Sequence, residues 1–147
     1  ARRWIVRHPE GDIWIFGSGK DRGIAALIVA QARGQGVPER RLRNLAGSTS
    51  LVEAIDLLAL ADAVVSNDSG LMHLAAALNR PLVALFGSST PDYTPPNGDP
   101  AKTEILSLRL ACSPCFKREC PLGHLDCLQR LLPEQVDQAL MRLEPAP

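Results

Sequence analysis

An excess of charge of either sign is missing from this sequence. Its 147 residues carry 16 Lys plus Arg against 16 Asp plus Glu, so no basic field announces a nucleic-acid surface or a polybasic membrane patch. An anionic ligand would have to be met by local groups. Long apolar runs are missing too: Asp56 and Asp62 interrupt the most apolar region, nothing reaches the length of a membrane span, and the opening residues have no signal-peptide core. Internal repeats are absent. A Walker A loop is excluded at Gly19-Lys20, because Asp21 stands where the magnesium-binding Ser or Thr belongs and Trp14 where the first glycine belongs. Gly17-x-Gly19-x-x-x-Gly23 departs from the dinucleotide spacing, and no acid closes the second strand, where Arg43 and Asn44 stand while Glu53 lies in the next helix. Cysteine is lacking everywhere except Cys112 to Cys127, which holds all four. The pattern reads as a cytosolic chain, with a hydrophobic content of 46% sufficient for one domain over residues 1–147.

What is present is an alternation of short apolar runs and helix-period segments. Ile13 to Phe16, Leu42 to Leu45, Ala63 to Ser66, Leu82 to Phe86 and Glu104 to Leu108 read as strands. Helices are expected over Ile24 to Arg33 closed by Gly34, Leu51 to Ala61, Leu71 to Leu78 stopped near Asn79-Arg80-Pro81, and a terminal segment opened by Pro133. Ser50-Leu51-Val52-Glu53 fits a capping box, in which hydroxyl and carboxylate satisfy orphan N–H groups. Continuously apolar strands are buried on both faces. The pattern therefore predicts an α/β fold, a Rossmann-like parallel sheet with flanking helices, whose ligands lie beyond the carboxyl ends of the strands. The polar loops at those ends are Gly17 to Asp21, Ala46 to Thr49, Asn67 to Gly70 and Gly87 to Pro91. From Pro91 to Pro100 the density of proline, glycine and aspartate rules out regular structure, and the segment reads as a flap near the ligand.

The most informative stretch is Asn67-Asp68-Ser69-Gly70-Leu71-Met72-His73, where an apolar strand runs directly into an apolar helix. Free N–H groups and the positive end of the helix dipole gather at such a junction. It can seat a phosphate oxygen on the backbone of Ser69 and Gly70 while Asp68 and His73 address neighbouring groups. Plainer roles exist: Asp68 is a good N-cap, and an isolated histidine is usually a packing or surface residue. Met72, Leu74 and Ala75 to Ala77 suit close helix–sheet packing and need no functional role. Cys112-x2-Cys115-x4-Cys120-x6-Cys127, with His124 between, offers enough thiolates for a tetrahedral metal but lacks the paired spacing of a zinc ribbon. A structural metal, thiol redox chemistry and a simply reduced loop all stay open there.

Taken in order, Phe16-Gly17-Ser18-x-Lys20-Asp21, Asn44 to Gly47, Val65 to His73, Pro81 to Gly87 and Thr94-Pro95-Pro96 resemble the lipopolysaccharide heptosyltransferases. The resemblance runs from about Ile13 through the last helix. It implies a two-lobed GT-B glycosyltransferase of which this chain is the C-terminal, nucleotide-sugar-binding lobe. Such enzymes transfer heptose from ADP-heptose to the lipopolysaccharide inner core without a required metal cofactor, at the cytoplasmic face of the inner membrane. By the same resemblance, Asp68 contacts the sugar, Ser69 and Gly70 underlie the diphosphate with His73 beside them, Ser18 and Asp21 lie near the nucleotide, and Ala46 and Gly47 wall the adenine. Arg2 falls in a basic segment that helps neutralise diphosphate. The helix expected before the Ile13 strand finds no room between Trp4 and Gly11. The family's catalytic base belongs to the N-terminal lobe, so no catalytic residue is assigned in this chain, which alone is expected to be inactive. Two other readings remain: a nicotinamide-dinucleotide-binding oxidoreductase domain, from the Gly17 turn, and a metal-stapled α/β interaction module, from the cysteines.

Overall fold

Every strand pair among the described residues is parallel, in two sheets with the orders β1-β2 and β3-β4-β5. The computed structural model describes residues 1–143, and the chain divides into two compact units, Ala1–Ala54 and Ile55–Pro147. The expected parallel α/β architecture is present, as two small sheets where one was expected. The reason is local: β1 and β2 are only three residues long, and a strand that short carries few ladder bonds.

In the first unit, helix α1 (Arg2–Arg7) precedes β1 (Ile13–Ile15), a 3-10 turn over Gly19–Asp21, helix α2 (Arg22–Gly34) and β2 (Leu42–Asn44). Ile13 pairs with Leu42 and Ile15 with Asn44. The expectation that no helix fits before β1 is corrected by α1, whose six residues rise only about 9 Å and leave His8 to Asp12 for the return. That return is clamped by buried Arg41, whose Nε donates to the Gly11 carbonyl at 2.7 Å and whose Nη2 donates to the His8 carbonyl at 2.6 Å. Trp4 stacks on His8 with ring centroids 4.5 Å apart. Ile5, Ala32, Val37 and Leu42 form the core, with Trp4, Ile13, Ile15 and Val29 packed against it. Helix α2 continues through Gly34; the left-handed residue after it is Gly36, at φ +84°, where a side chain would be strained.

Helix α3 (Leu51–Ala59) opens on the expected box: the Glu53 carboxylate accepts from the Ser50 amide at 2.7 Å and hydroxyl at 2.8 Å. In the second unit follow β3 (Val64–Asn67), α4 (Gly70–Ala77), β4 (Leu82–Phe86), β5 (Thr103–Ser107), the short α5 (Asp126–Gln129) and α6 (Pro133–Leu143). Central β4 is the most buried strand. Leu82, Ala84 and Phe86 on one of its faces pack with Met72, Ala75 and Ala76 of α4, while Val83, on the other face, is equally buried. Alanines on α4 bring the helix close to the sheet, so its N-terminus sits beside the end of β3. Asn79, at φ +56°, ends α4 in the left-handed conformation that asparagine tolerates. Arg142 on α6 grips Glu104 on β5 with two hydrogen bonds of 2.8 and 3.1 Å.

Candidate functional site

The loop between β3 and α4 is built as the sequence suggests, with one exchange of roles. Ser69, not Asp68, is the N-cap: its extended backbone starts the helix and its hydroxyl accepts from the Met72 amide at 3.4 Å. Ser66 Oγ lies 3.2 Å from Ser69 Oγ and donates to the Asn67 carbonyl at 2.9 Å, which steadies the turn. The amides of Met72 and His73 close back on the Ser69 carbonyl, so those of Gly70 and Leu71 are the first-turn donors left to face a ligand. Gly70 is exposed and Ser69 half-buried, which suits an anion arriving from solvent.

Freed from capping, Asp68 has its carboxylate available. Its amide donates to the Leu85 carbonyl at 3.2 Å, fixing its backbone to β4, and its Oδ2 accepts from the Thr94 hydroxyl at 3.3 Å. Thr94 lies in the segment read as a flap, which has no helix or strand between Pro91 and Asp99. The flap thus reaches the candidate anion seat within the second unit. Its base is held by buried Thr90, whose hydroxyl donates to Asp92 at 2.9 Å and whose carbonyl accepts from Thr94 Oγ1 at 3.4 Å. At its far end Gly98 approaches α4 so closely that a Cβ would stand 2.5 Å from the Ala76 carbonyl oxygen. His73 is half-buried one turn into α4.

In the first unit the two predicted loops are stitched together. Asp21 Oδ2 accepts from both the amide and the hydroxyl of Ser18 at 2.7 Å, and these bonds hold its carboxyl below the usual range, with Lys20 nearby adding to the effect. The Gly47 amide donates to the Gly17 carbonyl at 2.9 Å. Arg22, which the sequence reading did not single out, donates from Nη2 to the Gly47 carbonyl at 2.9 Å and from Nε to the Ala46 carbonyl at 3.3 Å. Gly47, at φ +66°, is where glycine is required: a Cβ would stand 2.6 Å from Gly19 Cα. Ala46 is buried, whereas Ser18, Asp21 and Gly47 are exposed. Arg2 is exposed at the start of α1.

The candidate residues therefore fall into Ser18, Asp21, Ala46 and Gly47 in the first unit and Asp68, Ser69, Gly70 and His73 in the second, while Arg2 opens α1. Thr94 and Arg22 are the additions. Each acts across a sequence separation of more than twenty residues; Thr94 stands in the Thr94-Pro95-Pro96 block, where it had no role assigned, and Arg22 stands in none of the blocks. Among the described residues no three or more His, Cys, Asp or Glu side chains stand preformed around a metal position.

Residues 6–126 match the model of glycosyltransferase family 9, the heptosyltransferases. The chain belongs to glycosyltransferase family 9. This family 9 chain is 41% identical over 153 aligned positions to lipopolysaccharide heptosyltransferase 2 of Escherichia coli K12, an alignment covering 97% of the chain and 43% of that relative. Lipooligosaccharide heptosyltransferase 2 of Haemophilus ducreyi is 42% identical over 139 positions, covering 89% of the chain and 37% of the relative. Among solved structures, that of E. coli ADP-heptose lps heptosyltransferase II superposes with a TM-score of 0.66 at 34% identity, over 96% of this chain and 39% of that one. A family 9 glycosyl transferase from Veillonella parvula superposes with a TM-score of 0.73 at 22% identity, over 97% and 38%, a likeness of fold alone. The chain thus spans about two fifths of the length of the curated relatives it matches. Membership places the family 9 chain in the GT-B class of fold. It gives no support to the nicotinamide-binding oxidoreductase or to the interaction module as the chain's function. No helix among the described residues is long and apolar enough to cross a membrane.

Proposed function

We propose that this chain is the C-terminal, donor-binding lobe of an inverting heptosyltransferase that moves heptose from ADP-heptose to the lipopolysaccharide inner core. The observation that carries the reading is the β3–α4 turn, where Ser69 caps the helix, the Gly70 and Leu71 amides are left over, and the Asp68 carboxylate is held toward the flap by Thr94. In the transfer, an acceptor hydroxyl attacks the anomeric carbon, the bond from that carbon to the diphosphate oxygen breaks, and ADP leaves with its electron pair. Negative charge grows on the departing diphosphate. Fixed amides at a helix N-terminus stabilise it without reorganising. Ser69 and Gly70 underlie the diphosphate, His73 stands beside it, and Asp68 addresses the sugar hydroxyls. Ser18 and Asp21 lie near the nucleotide, Ala46 and Gly47 wall the adenine, and Arg2 helps offset the diphosphate charge.

The proton of the acceptor hydroxyl goes to a base outside this chain, and no metal cofactor is needed for departure of ADP. The enzyme works in the cytoplasm, with peripheral contact to the inner membrane where its acceptor is anchored. The test is Asp68→Ala in the full-length protein, assayed with ADP-heptose and a truncated lipopolysaccharide acceptor. Turnover falls strongly while the far-ultraviolet circular dichroism is unchanged. Wild-type kinetics in that variant would remove Asp68 from the mechanism.

A further inference from the structure

The four cysteines take no part in the proposed transfer, yet the fold gathers them. Cys112, Cys115, Cys120 and Cys127, separated by up to fifteen positions, line one pocket of about 100 Å³, and all four are free thiols that are half-buried. The Cys120 loop folds back on itself, the Gly123 amide donating to the Cys120 carbonyl at 3.1 Å. Gly123 and Leu125, at φ +74° and +55°, make the turn. Cysteine binds metal as the thiolate.

The pocket is also anchored and charge-matched. Ser88, which follows β4, accepts from the amides of Cys115 at 3.0 Å and Phe116 at 2.7 Å, and the Ser113 hydroxyl donates to the Gly87 carbonyl. Gly87 itself is pressed against the far wall, since a Cβ there would lie 3.3 Å from Cys127 Sγ. Lys117 and Arg118 line the same pocket. Four thiolates around a divalent ion leave two net negative charges, which these two cations oppose.

From the convergence of four thiols on one anchored, cation-lined pocket, we infer a tetrathiolate site for a thiophilic divalent metal, zinc or ferrous iron, that staples the Cys112–Cys127 loop to the end of β4. The sulfurs are gathered without being clenched, as no three are preformed for coordination, and the pocket is roomier than one ion requires. The ion draws in side chains carried on loops, displacing a proton from each thiol that is not already ionised. Its role is structural. By fixing Ser88 it steadies the Gly87–Thr90 loop, from which the flap and Thr94 depart.

The experiment uses the full-length protein, reduced, freed of metal, and then given Zn²⁺, Fe²⁺ or Co²⁺ alone. Native mass spectrometry is expected to show one ion per chain, the four thiols become unreactive toward Ellman's reagent until a chelator is added, and the Co²⁺ form shows the thiolate charge-transfer band and intense visible bands of a tetrahedral site. Elemental analysis of protein purified without chelator distinguishes zinc from iron. Cys120→Ser and Cys127→Ser each lose the ion, and the cobalt spectrum of the wild-type protein stands as a readout independent of how the loop folds in those variants. Four thiols that react at the same rate with and without added metal would overturn the inference. So would air oxidation to disulfides, with a loss of two hydrogens per bond, in protein that never takes up an ion.

Discussion

Replacing Gly47 by alanine tests the stitched loops of the first unit in a way that separates backbone conformation from contact. At φ +66° a residue with a Cβ pays about 1–2 kcal/mol for the left-handed conformation alone. The added carbon would also stand 2.6 Å from Gly19 Cα and 3.0 Å from Gly19 N, against an ordinary separation of 3.4–4 Å. Both atoms are backbone, so no rotamer relieves the clash, and overpacking of this kind costs roughly a further 1–3 kcal/mol. Gly36→Ala is the control. Its φ is +84° but nothing lies within 4 Å of the Cβ, so only the conformational cost applies. Both tryptophans of the sequence, Trp4 and Trp14, belong to the first unit, and urea denaturation of the 147-residue chain followed by their fluorescence reports that unit. Gly47→Ala is predicted to lose about 2–5 kcal/mol and Gly36→Ala about 1–2 kcal/mol. Equal losses in the two variants would refute the close approach of the Ala46-Gly47 and Gly17–Asp21 loops.

Further outcomes follow from the second unit. Thr94→Val removes the hydroxyl that donates to Asp68 at 3.3 Å, so the full-length enzyme is expected to show a raised KM for the sugar donor with unchanged melting temperature; an unchanged KM would free Asp68 from the flap. The hydrogen bonds and charge of Arg142 hold the Glu104 carboxyl below its usual range, so the pair stabilises at pH values above the unfolded carboxylate pKa of about 4.3. That contribution disappears as the pH falls through the lower folded value. The pair is partly exposed, so its contribution is small. Glu104→Gln should therefore melt slightly below wild type at pH 7 and coincide with it near pH 2; a gap that widens in acid would contradict the sign.

Much of the fold was legible because its signals are local. The β4 run Leu82 to Phe86 reads as a strand buried on both faces and is one, and Ser50 to Glu53 caps α3 through the two residues that advertise it. The Asn67–His73 junction was legible for the same reason, since strand, turn and helix are contiguous. What escaped depends on partners distant in sequence. Ser69 rather than Asp68 caps α4, and the Asp68 carboxylate instead accepts from Thr94, twenty-six positions away. Arg22 reads as an ordinary helix-start residue until Ala46 and Gly47 come against it. Helix α1 was missed because its stability comes from outside it, from Trp4 stacking on His8 and from Arg41 pairing the carbonyls of the following turn. The division into two sheets was equally invisible, since apolar alternation marks strands without saying which of them pair.

The central claim is that the first amides of α4 receive the diphosphate of an activated sugar. The most direct measurement is a titration of the amide-labelled full-length protein with ADP, followed by nuclear magnetic resonance. The account predicts saturable shifts centred on the Gly70 and Leu71 amides, weakened when Ser69 is replaced by alanine. Saturable binding of ADP that leaves those two amides unmoved, or no binding at millimolar ADP by an intact fold, would contradict it.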